Sequence, residues 1–226
     1  LMDFNKGFLT SFDFQMRDLV KYQDLMEGFL KSQETELQKS HDEFLVLKDL
    51  KAEEWSEEYK DMRESELIEE SEDITRIYPH NFRSSELIHI LSVLEHEFEG
   101  LCDLVGTRRS IKIMAADLSR GGGDLDRMAT YLKKLDFNFE QVITEWSFIT
   151  KSKELRNKIV HHDCIYKYGN NELSRWIDSQ DSLYTISNEL YRLREGEDPR
   201  TKRFRIINRN LNDQLIENVN KFMHLL

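Results

Sequence analysis

Apolar residues recur at steps of three or four positions through most of this 226-residue chain, and only two prolines interrupt it. That spacing puts them on one side of an α-helix, so it predicts long amphipathic helices in preference to strands. The pattern fills residues 12–77 and returns over 87–105, 124–135, 139–162 and 211–226. We therefore predict a mainly α fold that begins with one or two long helices.

Charge divides the chain into two parts. The net charge is -11; residues 1–80 hold 21 Asp/Glu against 10 Lys/Arg, whereas residues 81–226 hold 22 of each. Proline has no amide donor and disfavours helical geometry in the residue before it, so the stretch from Tyr78 to Asn81 is expected to break the helix at Pro79. We predict an acidic helical arm over residues 1–80 and a helical domain over residues 81–226.

The acidity of the arm is densest in residues 53–73, which hold eleven acidic side chains against only Lys60 and Arg63. A solvated helix face is one interpretation of this run. A docking surface for a basic protein partner or inhibitor is a second, and an acidic shield over a basic site is a third. The sequence leaves all three open.

Several classes of protein are excluded by composition. No stretch approaches the roughly 18 to 20 apolar residues that a membrane span needs, and residues 1–14 lack the basic start and apolar middle of a secretory signal. We expect a cytoplasmic protein without membrane contact. Cys102 and Cys164 have no paired spacing, which indicates reduced core thiols. We expect neither a metal nor a cofactor.

The helix predicted over residues 139–162 carries apolar residues on nearly all sides, which indicates a central helix, yet it ends in polar residues. Asn157 and His161 are four positions apart and can touch, whereas Arg156 and His161 diverge by about 140°. Two such helices packed about a two-fold axis would bring both side-chain types into one cleft. As a structural alternative, Arg156 pairs with Glu154 or Glu97 and His161 caps the helix end.

A cleft of this composition suits a phosphodiester substrate. Arginine stays cationic and forks onto phosphate oxygens, while histidine exchanges protons near neutral pH. RNA is favoured because its 2'-hydroxyl is a built-in nucleophile, which removes the need for a metal-bound water.

The stretch from Arg156 to His161 resembles the R-x4-6-H signature of HEPN domains (higher eukaryotes and prokaryotes nucleotide-binding). The resemblance implies a HEPN-like helical bundle over residues 81–226 and a metal-independent endoribonuclease, of the kind found in toxin-antitoxin, phage-defence and CRISPR systems, with its site at a homodimer interface. It implies that Arg156 and His161 are catalytic and Asn157 supports them, with His162 as an auxiliary residue. The alternative is a non-catalytic HEPN-like module that binds RNA, nucleotide or a protein partner.

The residues after the motif predict a small β-hairpin over residues 164–177, with its turn at Gly169. Residues 182–194 are predicted to be helical, and a strand is expected at residues 204–207. A last helix should begin near Asn208 or Asn210. Upstream, residues 110–118 are predicted to form a helix, followed by a loop at the glycines of residues 121–123.

Seven cations fall within residues 192–209, around Phe204. A plain solvated surface is one interpretation. The other is a track that guides an RNA backbone to the site, because cations bind phosphates and aromatic rings stack on bases. For that role the candidates are Arg200, Lys202, Arg203 and Arg205.

Overall fold

The computed structural model describes residues 6–51, 53–118, 123–187 and 201–226. Those residues form seven α-helices and one small sheet, so the predicted mainly α class is confirmed. The helices are α1 (Lys6–Leu50), α2 (Glu57–Glu72), α3 (Tyr78–Arg108), α4 (Asp124–Lys134), α5 (Ile143–His162), α6 (Glu172–Asp178) and α7 (Asn210–Leu225). The strands are β1 (Ile165–Lys167), β2 (Leu183–Ser187) and β3 (Thr201–Ile206).

The two long N-terminal helices are present as predicted. The Ser56 side chain starts α2 by accepting a hydrogen bond from the Tyr59 amide at 3.2 Å. The C-terminal part of α1 and helix α2 form a small apolar cluster of their own. Phe44 and Leu67 are buried in it, and Trp55 packs on them. The arm is therefore a helical hairpin, held together by tertiary packing.

The predicted helix break at Pro79 is wrong. A π-helical turn over Asp73–Ile77 joins α2 to α3, and Pro79 lies in the first turn of α3. Proline is tolerated there because the first amides of a helix have no intrahelical acceptor. The division of the chain at residue 80 stays a prediction, and Phe12 and Met16 of α1 are buried in the same core as α3.

The main core lies where α1, α3, α4, α5 and α7 meet. Its centre is an aromatic cluster whose ring centroids lie between 5.2 and 6.1 Å apart, formed by Phe98, Phe139, Trp146 and Phe222. Such rings bury about 150–250 Å² each and dominate core energetics. Helix α5 is not buried all round as predicted, since Ile143 and Val160 are more than half exposed. One face of α5 packs on the core, and the other is exposed.

Small antiparallel β structure follows the motif helix, as predicted, but of the hairpin expected over residues 164–177 only the first strand is present, as β1. Strand β3 is central in a three-stranded antiparallel sheet of order β1-β3-β2, with Tyr166 opposite Lys202 and Thr185 opposite Phe204. The predicted position of the hairpin's second strand is wrong, because residues 172–177 belong to α6. Asn171 caps that helix by accepting a hydrogen bond from the Ser174 amide at 2.8 Å.

Four further predictions have mixed outcomes. The helix predicted over residues 182–194 is wrong at residues 183–187, which form β2; residues 188–194 lie outside the described part of the chain. The helix predicted over 110–118 is reduced to a 3-10 turn at residues 115–117, which Met114 precedes in an extended conformation. The strand predicted near Phe204 and the last helix are confirmed.

Helix α7 begins where the sequence predicts, but its N-cap position is Arg209, which makes no side-chain capping hydrogen bond. The Asn208 side chain accepts a hydrogen bond from the Asn210 amide at 3.0 Å.

Among the described residues, no helix combines the length and the apolar character required to cross a bilayer.

Candidate functional site

An open pocket of about 830 Å³ lies where the C-terminal end of α5 meets the sheet and the start of α6. Four elements line it, and its lining mixes histidines, cations and apolar side chains. The lining residues are Lys158, His161, His162, Asp163, Ile165, Tyr166, Lys167, Asn171, Leu173, Thr201 and Arg203. No described residue of the first eighty lines this pocket, so the described part of the acidic arm does not form its wall within one copy.

The pocket exists because α5 stops abruptly. Asp163 and Cys164 both adopt left-handed backbone conformations, with φ of 49° and 62°, and the Cys164 amide donates to the Lys158 carbonyl at 2.9 Å. Asp163 then accepts a hydrogen bond from Arg203 Nη2 of β3 at 2.5 Å. This connection turns the chain back into β1 and leaves the last turn of α5 facing the pocket.

Both motif histidines are exposed at this helix end. The rings of His161 and His162 stand nearly perpendicular, with their centroids 6.5 Å apart. Both histidines line the pocket, so two imidazoles face one cavity. The position of His162 makes it part of the same pocket as His161.

The predicted RNA-binding cations are only partly brought together. Arg203 lines the pocket, joined by Lys158 and Lys167, which were not among the predicted cations. Lys202 stands instead over the Tyr168 ring, 3.1 Å from its centroid, and Arg205 does not line the cavity. Arg200 lies outside the described residues. Lys158 lies three residues before His161, so the two side chains are one helical turn apart on the same side of α5. That spacing is the signal in the sequence that places Lys158 beside His161.

Arg156 and Asn157 do not line the pocket. Arg156 Nη1 donates to Glu95 Oε2 of α3 at 3.1 Å, and both side chains are mostly buried, with 21% and 25% of their surface exposed. The predicted pairing of Arg156 with Glu154 or Glu97 is wrong, because Glu154 binds Lys151 and Glu97 binds Gln15.

The arginine and the histidine thus point to different surfaces of one chain, as their five-residue spacing predicts. Asn157 is half-buried on the same turn of α5 as Arg156. In the described structure, no side-chain hydrogen bond joins Asn157 to His161. Any function that needs Arg156 and His161 together requires a second copy or a rearrangement of the Glu95 pair.

Sequence reasoning missed His80, which supports the sheet behind the pocket. Its Nδ1 accepts a hydrogen bond from the Ile206 amide at 3.1 Å, and its Nε2 lies 3.5 Å from the Cys164 sulfur. Burial lowers the pKa of His80 to about 4, and the nearby Arg205 charge acts in the same direction. His80 is therefore neutral at pH 7 and anchors β3. The sequence around His80 predicts a helix break, and that pattern carries no signal for this role.

The two cysteines are buried thiols without a disulfide, as expected. Burial raises the pKa of Cys102 to about 12 and that of Cys164 to about 11, so neither forms the reactive thiolate near neutral pH. In the parts of the chain that the structure describes, no group of three or more His, Cys, Asp or Glu side chains is arranged to hold a metal ion.

Comparison with known proteins finds no matching family model, no significantly similar curated protein and no significantly similar solved structure. The assignment of a function therefore depends on the pocket, the motif and the HEPN resemblance of residues 156–161.

Proposed function

We propose that the chain is a HEPN-type endoribonuclease that cleaves RNA without a metal, at a site shared by two copies of the chain. The observation that carries this proposal is the open pocket in which His161 and His162 lie beside Lys158 and Lys167, with Arg203 paired to Asp163 at its wall. Exposed histidines and cations in one cavity supply proton transfer and phosphate binding, the two requirements of metal-independent RNA cleavage.

In the proposed reaction, His161 accepts the proton of the RNA 2'-hydroxyl as the 2'-oxygen forms a bond to phosphorus. The bond from phosphorus to the 5'-oxygen breaks, and that oxygen leaves with a proton delivered by a protonated imidazole, with His162 as the neighbouring candidate. The products are a 2',3'-cyclic phosphate and a free 5'-hydroxyl. Cations at the pocket wall stabilise the negative charge that builds up on the phosphate oxygens.

Arg156 enters this scheme from a second copy. Because Arg156 faces α3 and His161 faces the pocket, a two-fold arrangement of α5 helices would present the guanidinium of one copy to the imidazole of the other. Asn157, next to Arg156, would then help to position that guanidinium. In this dimer the Arg156–Glu95 ion pair is exchanged for contacts with the substrate phosphate.

The first test is RNA cleavage in EDTA by the wild-type chain beside Arg156→Ala and His161→Ala. Matched controls are Arg175→Ala and His89→Ala, which remove an exposed arginine and an exposed histidine outside the pocket. We expect the motif variants to lose activity by about 100-fold or more and the controls to keep it. Cleavage that survives both motif substitutions, or that EDTA abolishes, contradicts the proposal.

Mixing inactive variants tests the shared site directly. If the site combines Arg156 of one copy with His161 of the other, mixed dimers of Arg156→Ala and His161→Ala contain intact sites and regain part of the activity. If both residues act within one chain, mixing restores nothing. Sedimentation of the wild-type chain supplies the complementary measurement, since a strict monomer excludes a composite site.

A second candidate function is favoured by the Arg156–Glu95 ion pair, which neutralises the motif arginine within the chain. In this alternative the pocket binds RNA or a nucleotide through Lys158, Lys167 and Arg203 without cleaving it. RNA that binds the wild-type chain and stays intact in the cleavage assay, with His161→Ala binding equally well, supports the binding module over the nuclease.

A further inference from the structure

A second open groove, of about 540 Å³, lies in the acidic arm, on α1, α2, the π-helical turn and the start of α3. Its apolar surface comes from both sides of the helical hairpin and includes half-exposed aromatic rings. The apolar lining residues are Met26, Phe29, Leu30, Ile74, Tyr78 and Phe82. Phe29 and Tyr78 are each 52% exposed, which is unusual for large rings grouped around one cavity.

The rim of the groove is acidic. Glu66, Glu69, Glu70 and Asp73 line the α2 side, and Gln33 lies on the α1 side. Arg63 pairs with Glu66 at 2.8 Å, but within the described residues Glu69, Glu70 and Asp73 form no ion pair. Three carboxylates therefore lie along one side of the apolar floor, with no ion-pair partner in the described part of the chain.

The backbone is irregular at the same place. The π-helical turn over Asp73–Ile77 supplies Asp73 and Ile74 to the groove. Such turns occur mostly as single insertions in α-helices and often at functional sites. The π-turn adds one residue to a helical turn, so the side chains of α2 and α3 do not follow one continuous helical repeat. The groove lies along the junction of these two helices.

Charge decides which occupant fits. A nucleic acid is repelled by the carboxylates, and the arm of a second copy brings the same acidic surface. A helix with apolar residues on one face and Lys or Arg at its edges matches both the floor and the rim. We propose that this groove binds a basic amphipathic helix of another protein, with an apolar side chain seated between Phe29 and Ile74 and cations at Glu69 and Glu70.

This proposal gives the acidic residues of 53–73 a docking role, which is one of the three interpretations that the sequence leaves open. It does not depend on the nuclease proposal, because the groove and the histidine pocket share no residue. Binding at the groove is measured without RNA, so the two proposals fail separately.

The probe is a synthetic helix of about 18 residues with leucine on one face and lysine on the other, long enough to span about 27 Å. We expect it to bind the full chain in isothermal titration or fluorescence anisotropy at physiological salt. A peptide of the same pattern with glutamate in place of lysine should bind at least about 10-fold more weakly. Equal binding of the two peptides overturns the role of the acidic rim.

Two matched pairs of variants locate the binding. Glu69→Lys with Glu70→Lys reverses the rim, and Glu58→Lys with Asp61→Lys makes the same charge change on α2 outside the groove. Phe29→Ser removes the exposed ring of the floor, and Leu25→Ser removes an exposed side chain one turn away that does not line it.

We expect the lysine peptide to lose about 10-fold or more in affinity with each groove variant and less than about 3-fold with each control. Circular dichroism verifies that all four proteins remain folded, which is expected because every substituted side chain is exposed or lies at the rim. Equal losses in groove and control variants show nonspecific attraction to the acidic arm and overturn the proposal. A change of the wild-type oligomeric state caused by Phe29→Ser identifies a second copy as the occupant and also overturns it.

Discussion

Arg156 of the motif helix is held by Glu95, 61 residues earlier on α3, through a 3.1 Å hydrogen bond and ion pair. The pair is about one-quarter exposed, and the cost of removing both charges from water offsets much of their attraction. The ion pair has a larger effect on charge. It neutralises the Arg156 guanidinium that the proposed nuclease needs, until another group displaces the Glu95 carboxylate. Glu95 is therefore placed to restrain the site.

We predict that Glu95→Gln strengthens RNA binding by about 2- to 10-fold, because the guanidinium of Arg156 gains a free charge for phosphate. Glu99→Gln, one turn along the exposed side of α3, is the control with the same loss of charge. Fluorescence anisotropy with a labelled single-stranded RNA measures both. An affinity that falls, or that rises equally in the control, contradicts a restraining role for Glu95.

A buried carboxyl group between α1, α3 and α7 makes stability depend on pH. Glu86 is 3% exposed, accepts a 2.6 Å hydrogen bond from Asn212 Nδ2, and has no partner for its Oε1 within the described residues. Burial raises the pKa of Glu86 to about 7. Since the folded carboxyl holds its proton to higher pH than the unfolded one, the free energy of unfolding falls as pH rises from about 4.5 to 7.

Glu86→Gln removes this titration and keeps a hydrogen-bond acceptor near Asn212. We predict that it raises the free energy of unfolding at pH 8 by up to about 3 kcal/mol and changes it little at pH 4. Urea unfolding at both pH values measures the difference, with the exposed Glu140→Gln as the control. A variant that is less stable than the wild-type protein at pH 8 contradicts the burial of a charged Glu86.

His80 makes stability depend on pH in the opposite direction. Its pKa is lowered to about 4 by burial, so between about pH 4 and 6.5 the unfolded chain binds the proton and the folded chain does not. The contribution to stability is present above pH 6.5 and is lost as pH falls through that window. Acidification should therefore weaken the anchor between His80 and the Ile206 amide of β3.

We predict that His80→Asn reduces the loss of stability between pH 7 and pH 4.5 by up to about 3 kcal/mol relative to the wild-type chain. The asparagine carries an acceptor for the Ile206 amide and does not titrate. His89→Asn, at an exposed position of the same helix, should follow the wild-type curve. Hydrogen exchange at Ile206 supplies a local readout, and an unchanged pH dependence in His80→Asn rules out this residue as the source.

The helices were predictable because their signal is local. The spacing of Leu87, Leu91, Leu94 and Phe98 specifies a buried helix face, and all four are buried in α3. Asn171 is a local signal too, but beside Gly169 it fits a turn as well as the helix cap that it forms at α6. Strand and helix remain ambiguous in a stretch as short as residues 172–177.

The site was less predictable because its contacts join distant residues. Arg156 meets Glu95 across 61 positions, and His80 meets Ile206 across 126. No periodicity encodes such pairs, so the sequence identified the motif histidine but neither the acid that restrains the arginine nor the imidazole that anchors β3. Lys158 and Lys167 lacked a motif of their own and became candidates only through the pocket.

The cationic wall of the pocket makes a last prediction about salt. If Lys158 and Lys167 contact RNA phosphates, each releases counterions on binding, and the affinity falls steeply as salt increases. We predict that Lys158→Gln and Lys167→Gln each reduce the slope of log affinity against log salt by about 0.7 for single-stranded RNA. Lys134→Gln, an exposed lysine of α4 outside the pocket, is the control and should leave the slope unchanged. A double variant with the wild-type slope would show that RNA does not enter this pocket, because charge removed from a bound phosphate cannot leave counterion release unaltered.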